Sequence, residues 1–436
     1  MSIATQLKPD AHFLSATNPS ATADQRDIEA LALKVYDMPV VQKAKAMATM
    51  RWKGIMASEV AADNWTRFDA FMEEWNYNHV LKAVNSDANY PKVFGHLFGP
   101  AHEWFGMKVP GSRAGGGDSP DNNYVIMPID AHARYEIHCQ AFEPLLADGA
   151  FVVTGDASLA TTLGYLDWQD VKRGADGRFV VTIDPQPANG RVNHVQTKLE
   201  ARYVFLREVR SDWRQTTLAL RIKRIDPPSP LGAPPLTVEQ MADRAAYFIN
   251  SEVPPVYFLI RTIQGIPFNT FRPPFNTGLI GGLISQTMSM GRVALADDEA
   301  YVVTITTAGA AYRSLVVMEA DWLCTMEFWQ HSNSANVAQT VPNADGSITY
   351  VIAKTDPGVH NWLDTNGYSK VSALHRWQGL PKTPDPSGPP TLKGELVKLK
   401  DLDRVLPKET RRVTPAERKQ LLAERLEGFK RRYVHQ

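Results

Sequence analysis

Residues 175–209, ADGRFVVTIDPQPANGRVNHVQTKLEARYVFLREV, and residues 344–377, ADGSITYVIAKTDPGVHNWLDTNGYSKVSALHRW, decide the fold once one is laid over the other. Each opens on an Asp-Gly pair (Asp176-Gly177, Asp345-Gly346), runs through β-branched residues, meets an Asn followed by a ring (Asn193-His194, Asn361-Trp362), and ends near an arginine (Arg207, Arg376). The glycine-to-asparagine and asparagine-to-arginine intervals are 16 and 14 in the first stretch and 15 and 15 in the second. Asp-Gly by itself marks any hairpin. Three elements recurring at matched spacing mark a repeat. Further upstream, Arg134-Tyr135 heads one strand-like run and Tyr312-Arg313 another. The comparison predicts an internal duplication: two related antiparallel β-sandwich, jelly-roll-like domains.

The flanking sequence agrees. YVIMPI, RYEIHCQAF, AFVVTG, RFVVTID, RYVFLREV and TLALRIKRI are short runs between turn signals, which places a first sandwich at 120–226. DPPSPLGAPP (226–235) cannot continue a strand and reads as a linker. Thr237 with Gln240 then begins a helix in a helical insert within 227–299. YVVTITT, YRSLVVMEA, WLCTMEFW, SITYVIAK and VSALHRW place a second sandwich at 300–383. Residues 1–119 read as a helical N-terminal region and loop, with Trp65, Phe68, Met72 and Trp75 on the buried side of a helix. Residues 384–436 form a basic tail, in which Thr414 to Glu417 is a capping box and Leu422, Leu426, Phe429 and Tyr433 share one face of an amphipathic helix. The expected class is mainly β with helical additions (α+β).

Charge adds one asymmetry. The 436 residues balance 47 Lys+Arg against 47 Asp+Glu, which argues against a nucleic-acid or anionic-membrane coat. From Thr391 onward, however, 13 Lys+Arg face 7 Asp+Glu, so the tail is basic and the body acidic. Its basic face is read as solvated, with an acidic partner as the alternative. The two cysteines, Cys139 and Cys324, are too few for a disulfide framework or a four-thiolate metal site. No secretory leader or spanning segment is legible, and a cytoplasmic location is expected.

Phosphate-loop, dinucleotide, nucleophile-elbow and zincin motifs are missing, so no cofactor and no metal are expected. Histidines are the remaining guide to acid–base chemistry. In MEFWQHSNSAN and the hairpin that follows, His331, Glu327, His360, Asp364 and Arg376 are the catalytic candidates, with His375 alongside. Trp329, Trp362 and Trp377 are expected to rim a pocket that takes a hydrophobic substrate, with Tyr312 and Arg207 contributing to binding. Glu327 or Asp364 would orient an imidazole, and Arg376 would stabilise an anion. His96, His102, Glu103 and His138 form a second, weaker group, for which a metal role is the minor reading.

DGSITYVIAKTDPGVHNWLDTNGYSKVSALHRW, with LADDEAYVVTITTAGAAYRSL before it, SANVAQ between and the arginine-rich VTPAERKQLLAERLEGFKRRY at the end, resembles the C-terminal module of a bacterial family known only as domain of unknown function twelve-fourteen. The likeness covers about 230–436; the N-terminal half matches more weakly, through NNYVIMPID, the Asp-Gly hairpin and SDW at 211–213. The sequence departs from the family at His194 and Arg313, where aromatics are usual. The resemblance implies jelly-roll-like sandwiches and suggests hydrolase activity in bacteria that degrade steroids, terpenoids or aromatic compounds; it supplies no catalytic residues. Two functions are therefore expected as alternatives. One is a cofactor-independent hydrolase or lyase for a bulky apolar molecule, working in a pocket of the second sandwich. The other is a ligand-binding or assembly module, in which a homo-oligomer is one use of the same surfaces.

Overall fold

In a computed structural model, residues 7–433 are described, apart from 59, 114–115, 157, 160, 281 and 384 and the side chains of 279 and 280. Among the described residues, two units of eight strands make up most of the β part; His102–Trp104 and Met107–Val109 form a separate hairpin, and the short strands Thr270–Phe271 and Phe275–Asn276 pair with the first strand of the second unit. The first holds β1 (Asn122–Pro128), β2 (Tyr135–Gln140), β3 (Asp148–Thr154), β4 (Gly164–Asp167), β5 (Arg178–Asp184), β6 (His194–Gln196), β7 (Tyr203–Val209) and β8 (Ala219–Arg224). The second holds β9 (Thr287–Ala294), β10 (Glu299–Ile305), β11 (Tyr312–Glu319), β12 (Ser334–Asn336), β13 (Ile348–Ala353), β14 (Trp362–Asp364), β15 (Lys370–Gln378) and β16 (Leu392–Lys398).

Strand order repeats between them. One sheet runs β1-β7-β3-β4 in the first unit and β9-β15-β11-β12 in the second; the other runs β8-β2-β5-β6 and β16-β10-β13-β14. The short β6 and β14 each pair parallel with the strand before them, in otherwise antiparallel sheets. Arg207 lies opposite Tyr124 and Ala150, and Arg376 lies opposite Met288 and Ser314, at corresponding positions. Asn193 and Asn361 have the same task. The side chain of Asn193 accepts from the backbone N–H of Lys172 (2.8 Å) and donates to its carbonyl (2.7 Å); that of Asn361 does so with Val341 (2.9 and 2.8 Å).

Period-two alternation assigns the faces. Val125, Met127, Ile137, Phe151, Val181 and Leu206 fill the space between the two sheets of the first unit, and Val303, Leu315, Val317, Tyr350, Ile352 and Trp377 do so in the second. Alternate residues Tyr124, Ile126, Tyr203 and Phe205, with Met288, Met290, Val316, Met318 and Leu374, turn the other way into a third core shared with helices. Those helices are α1 (Ala23–Tyr36), α2 (Pro39–Met56), α3 (Phe68–Val84), α4 (Val238–Ser251) and α5 (Val253–Gln264). The N-terminal region and the insert, far apart in sequence, thus form one layer over one sheet of each unit. Trp75 and Phe68 are buried in it, and the capping box at Thr237 starts α4. Cys139 is buried in the first sandwich and Cys324 beneath the helices. Among the described residues no helix is long and apolar enough to cross a membrane.

Three expectations need correction. β9 precedes the 300 boundary and β16 lies beyond 383. Gly291 and Arg292 interrupt the apolar run of β9, and β16 is a largely exposed edge strand free to be polar. WLCTMEFW is a buried turn rather than a strand: Trp322, Leu323 and Cys324 are apolar because they sit in the shared core. The basic face of the C-terminal helix α6 (Pro415–Lys430) is not the solvated one. Arg418, Arg425 and, just past its end, Arg432 are buried at a seven-residue spacing, while Leu422, Leu426 and Phe429 are only partly covered.

Candidate functional site

The expected pocket in the second sandwich does not assemble around the three tryptophans. Trp377 and Arg376 are neighbours on β15 and point to opposite faces, so Trp377 is in the sandwich core, donating to the Thr306 carbonyl (2.7 Å), while Arg376 faces the first unit. Trp362 lies beneath the Arg418 guanidinium, and Trp329 stacks on Phe429 of α6. His375 is buried against Trp377 and Tyr350, and burial holds it well below the usual imidazole range. His360 is half-buried beside Arg411 and Arg418, and burial followed by those charges lowers its pKa. Glu327 turns to Arg67 (3.5 Å) and Asn366 (3.2 Å) and orients no imidazole. One expected pair is present: His331 Nδ1 and Asp364 Oδ2 are 2.8 Å apart, on a surface where the histidine side chain is 41% exposed.

Tyr312, Arg207 and Arg376 do gather, where the two units face each other across the loop that leads into β1. Tyr124 feels Arg376, Asp118 and Arg207 together. Arg376 donates to the carbonyls of Gly117 and Asp118, and Arg207 stacks on Phe205. The Tyr312 hydroxyl donates to Asp121 (2.7 Å) and lies 3.2 Å from the Ser119 hydroxyl. Asp121 also accepts from Trp213 Nε1 (2.6 Å) and Asn336 Nδ2 (2.8 Å), so one carboxylate joins both units. Asp118 is buried, takes the Thr325 hydroxyl on one oxygen (3.1 Å) and has no partner on the other among the described residues; burial pushes it up to about 7.

The C-terminal arginines close this junction. Arg418 bonds Asp356 (2.8 Å) and the Val359 carbonyl, Arg425 takes the carbonyls of Phe328 and Ser334 (3.0 Å to Ser334), and Arg432 takes that of Pro120 (2.6 Å). Trp213 is clasped between Arg425 and Arg432, 4.5 and 4.4 Å from its ring, and a side chain at Gly428 would come within 3.1 Å of it. DPG, SAN, NWLD and SDW are therefore the sockets of one arginine-toothed helix, with Asp356, Ser334, Trp362 and Trp213 as the contacts.

Beside that helix a cleft of about 390 Å³ opens between Thr17–Ser20, Arg210–Thr217 and Glu427–Arg432, with His96 at its inner end. His96 and Arg432 also line a smaller cavity of about 10 Å³, room for one water, which reaches Asp118, Ser119 and Tyr124. His96 has a positive φ of 57° and stacks with Tyr433. His102 stacks on the same ring and lies 3.5 Å from Glu29. Glu103 is exposed and His138 pairs at the surface with Glu136 (3.0 Å). No group of three metal-type side chains converges among the described residues. Asp118, Asp121, Arg210, Trp213, Arg432 and Tyr433 are not legible as site residues in the sequence, because they come from segments scattered from 118 to 433; the SDW element is their one signal.

A family model matches the stretch that carries the Asn361 bridge, three of the four sockets and β9 through β15. Residues 285–381 match DUF1214, a protein family of unknown function. The DUF1214 region thus takes in most of the second unit and its sockets, but not α6. A putative uncharacterized protein from Burkholderia cenocepacia shares the fold, with a TM-score of 0.67 and 21% identity, over 85% of this chain and 99% of that one. A protein from Vibrio parahaemolyticus is more distant, with a TM-score of 0.41 and 12% identity over 74% of this chain and 98% of the other. No curated protein matches the chain.

Proposed function

We propose that this DUF1214-containing protein is a ligand-binding module whose small-molecule site is the cleft between its N-terminal segment, the 210–217 loop and the end of α6. The observation that carries the proposal is the cleft's construction. It is walled by three distant parts of the chain, cross-braced by Asn18 to the Arg432 carbonyl (3.0 Å) and by Ser20 to Thr217 (3.1 Å), and two of its wall residues, His96 and Arg432, also line the small cavity that holds Asp118, a buried carboxyl with an unpartnered oxygen among the described residues. Convergent polar groups in a concave junction are what a small-molecule site requires. The repeated strand order and the matched asparagine bridges support a related proposal, that the units descend by duplication of one jelly-roll-like ancestor.

The hydrolase-or-lyase reading keeps one supporting observation, the imidazole of His331 oriented by Asp364. Its open setting lacks the enclosure that a bulky apolar substrate needs.

Native mass spectrometry of the protein incubated with a metabolite extract of its host tests the binding reading. The expected result is a retained small molecule that is lost when Thr216→Trp fills the cleft. No retained species, or equal retention by that variant, overturns it. Turnover that disappears in His331→Ala and persists in Thr216→Trp would favour the enzyme reading.

A further inference from the structure

The cleft's inner wall carries charge that the protein itself does not neutralise. Arg210 and Arg432 are only 3% and 6% exposed, and His96 7%. Among the described residues, Arg432 Nε and Nη2, Arg210 Nη2 and His96 Nε2 are buried with no hydrogen-bond partner. Buried polar atoms are almost always satisfied, and a buried guanidinium with idle donors is costly enough to need an explanation. Neither arginine is wholly unanchored: Arg210 Nε donates to the Asp121 carbonyl (3.2 Å) and Arg432 Nη1 to that of Pro120 (2.6 Å). These bonds aim the forks and leave their other edges idle.

The nearby acids make no hydrogen bond to the idle donors among the described residues. Asp121, which both arginines feel, already has its oxygens taken by Trp213, Asn336 and Tyr312. Glu208, the other acid near Arg210, accepts from the backbone of Leu218 and from Asn123, and burial pushes it up to about 7. Glu427 at the mouth pairs with Lys430 (2.8 Å) and Asp212 with Arg214. Burial, and then the neighbouring Arg210, disfavour the charged form of Arg432, while burial comes first for His96, followed by His102, Arg210 and Arg432. An arginine is effectively never neutral in a protein. A counter-anion relieves the repulsion and occupies the idle donors.

We propose that the cleft is an oxyanion site, in which the carboxylate, phosphate or sulfate group of a small ligand is held between the free edges of Arg210 and Arg432, with His96 Nε2 facing the same group. Two guanidinium forks meeting one oxyanion is the arrangement their planar geometry serves best. The inference rests on the ligand-binding reading and names the ligand's head group. At the mouth Lys430 and Arg214 are paired with Glu427 and Asp212, and Arg431 adds one further cation.

Isothermal titration calorimetry on the full chain tests it, with inorganic phosphate, sodium sulfate and sodium acetate titrated separately; the arm that binds separates a tetrahedral head group from a carboxylate. The expected result is one saturable site, weakened tenfold or more by Arg210→Gln and by Arg432→Gln, and several-fold by Arg432→Lys, which keeps the charge and loses the fork. Melting temperatures of the variants identify any that fail to fold, and Arg210→Gln, outside the helix interface, then decides. No saturable heat with any of the three anions, or affinity unchanged within twofold in folded Arg210→Gln, overturns the inference. A metabolite retained in the mass spectrometer whose binding ignores Arg210→Gln would overturn the anion inference alone. Anion binding without any retained metabolite would overturn the ligand-module reading alone.

Discussion

At the scale of single residues, the junction contains groups whose protonation differs between the folded and unfolded chain. Asp118 titrates near 4 when unfolded and is pushed up to about 7 by burial in the fold. The folded state therefore holds that proton more tightly. Its contribution to stability is fully present below about pH 4 and is lost as the pH rises through about 7. Melting temperature measured across pH 4–7 is expected to fall more steeply in the wild type than in Asp118→Asn; parallel curves would contradict the assignment. Asn361 stabilises the fold through its own side-chain bonds. Its side chain accepts from one backbone segment and donates to two, Val341 and Thr349. Asn361→Ala is expected to cost about 2–3 kcal/mol by leaving buried backbone groups unpaired, measured by denaturant unfolding. Neither role is legible from a residue type alone: a lone acid in a Gly-rich loop and an Asn before a ring both read as turn formers.

At the scale of elements, α6 behaves as a clip more than as an amphipathic helix. The sequence places its start correctly, because Thr414 and Glu417 cap it through local bonds that depend on nothing else. It misplaces the buried face, because hydrophobic periodicity has no means of scoring an arginine that buries its guanidinium over an indole and bonds backbone carbonyls. Arg425 donates to the Phe328 carbonyl and to both the carbonyl and the hydroxyl of Ser334, and burial pulls it down to about 10. Arg425→Ala is expected to destabilise the protein by about 2–4 kcal/mol and to make limited proteolysis begin within 415–433. Unchanged cleavage would show that the helix is held by its leucines. The same local logic explains the strands. Alternation made β1, β5, β7 and β15 legible, while β16 at an edge and β9 with its glycine were hidden.

At the scale of the whole molecule, the duplicated spacing of Asp-Gly, Asn and Arg pointed to two sandwiches of one topology, and the observed strand orders match. Three-dimensional convergence lay beyond it. His331 and Asp364, 33 positions apart, did meet, whereas Trp377 and Arg376, adjacent in sequence, separated onto opposite faces. The cleft draws on Ser20, His96, Arg210 and Arg432, four segments with no shared motif. The claim on which the account depends is that these segments form one ligand site. Hydrogen exchange on the intact protein, with and without saturating inorganic phosphate, sulfate or acetate, tests it most directly. The account predicts that the anion that binds will slow exchange together in residues 210–217 and 427–433 while β10 and β13 are unaffected. Exchange unchanged in both segments with all three, or slowed uniformly across the chain, would contradict it.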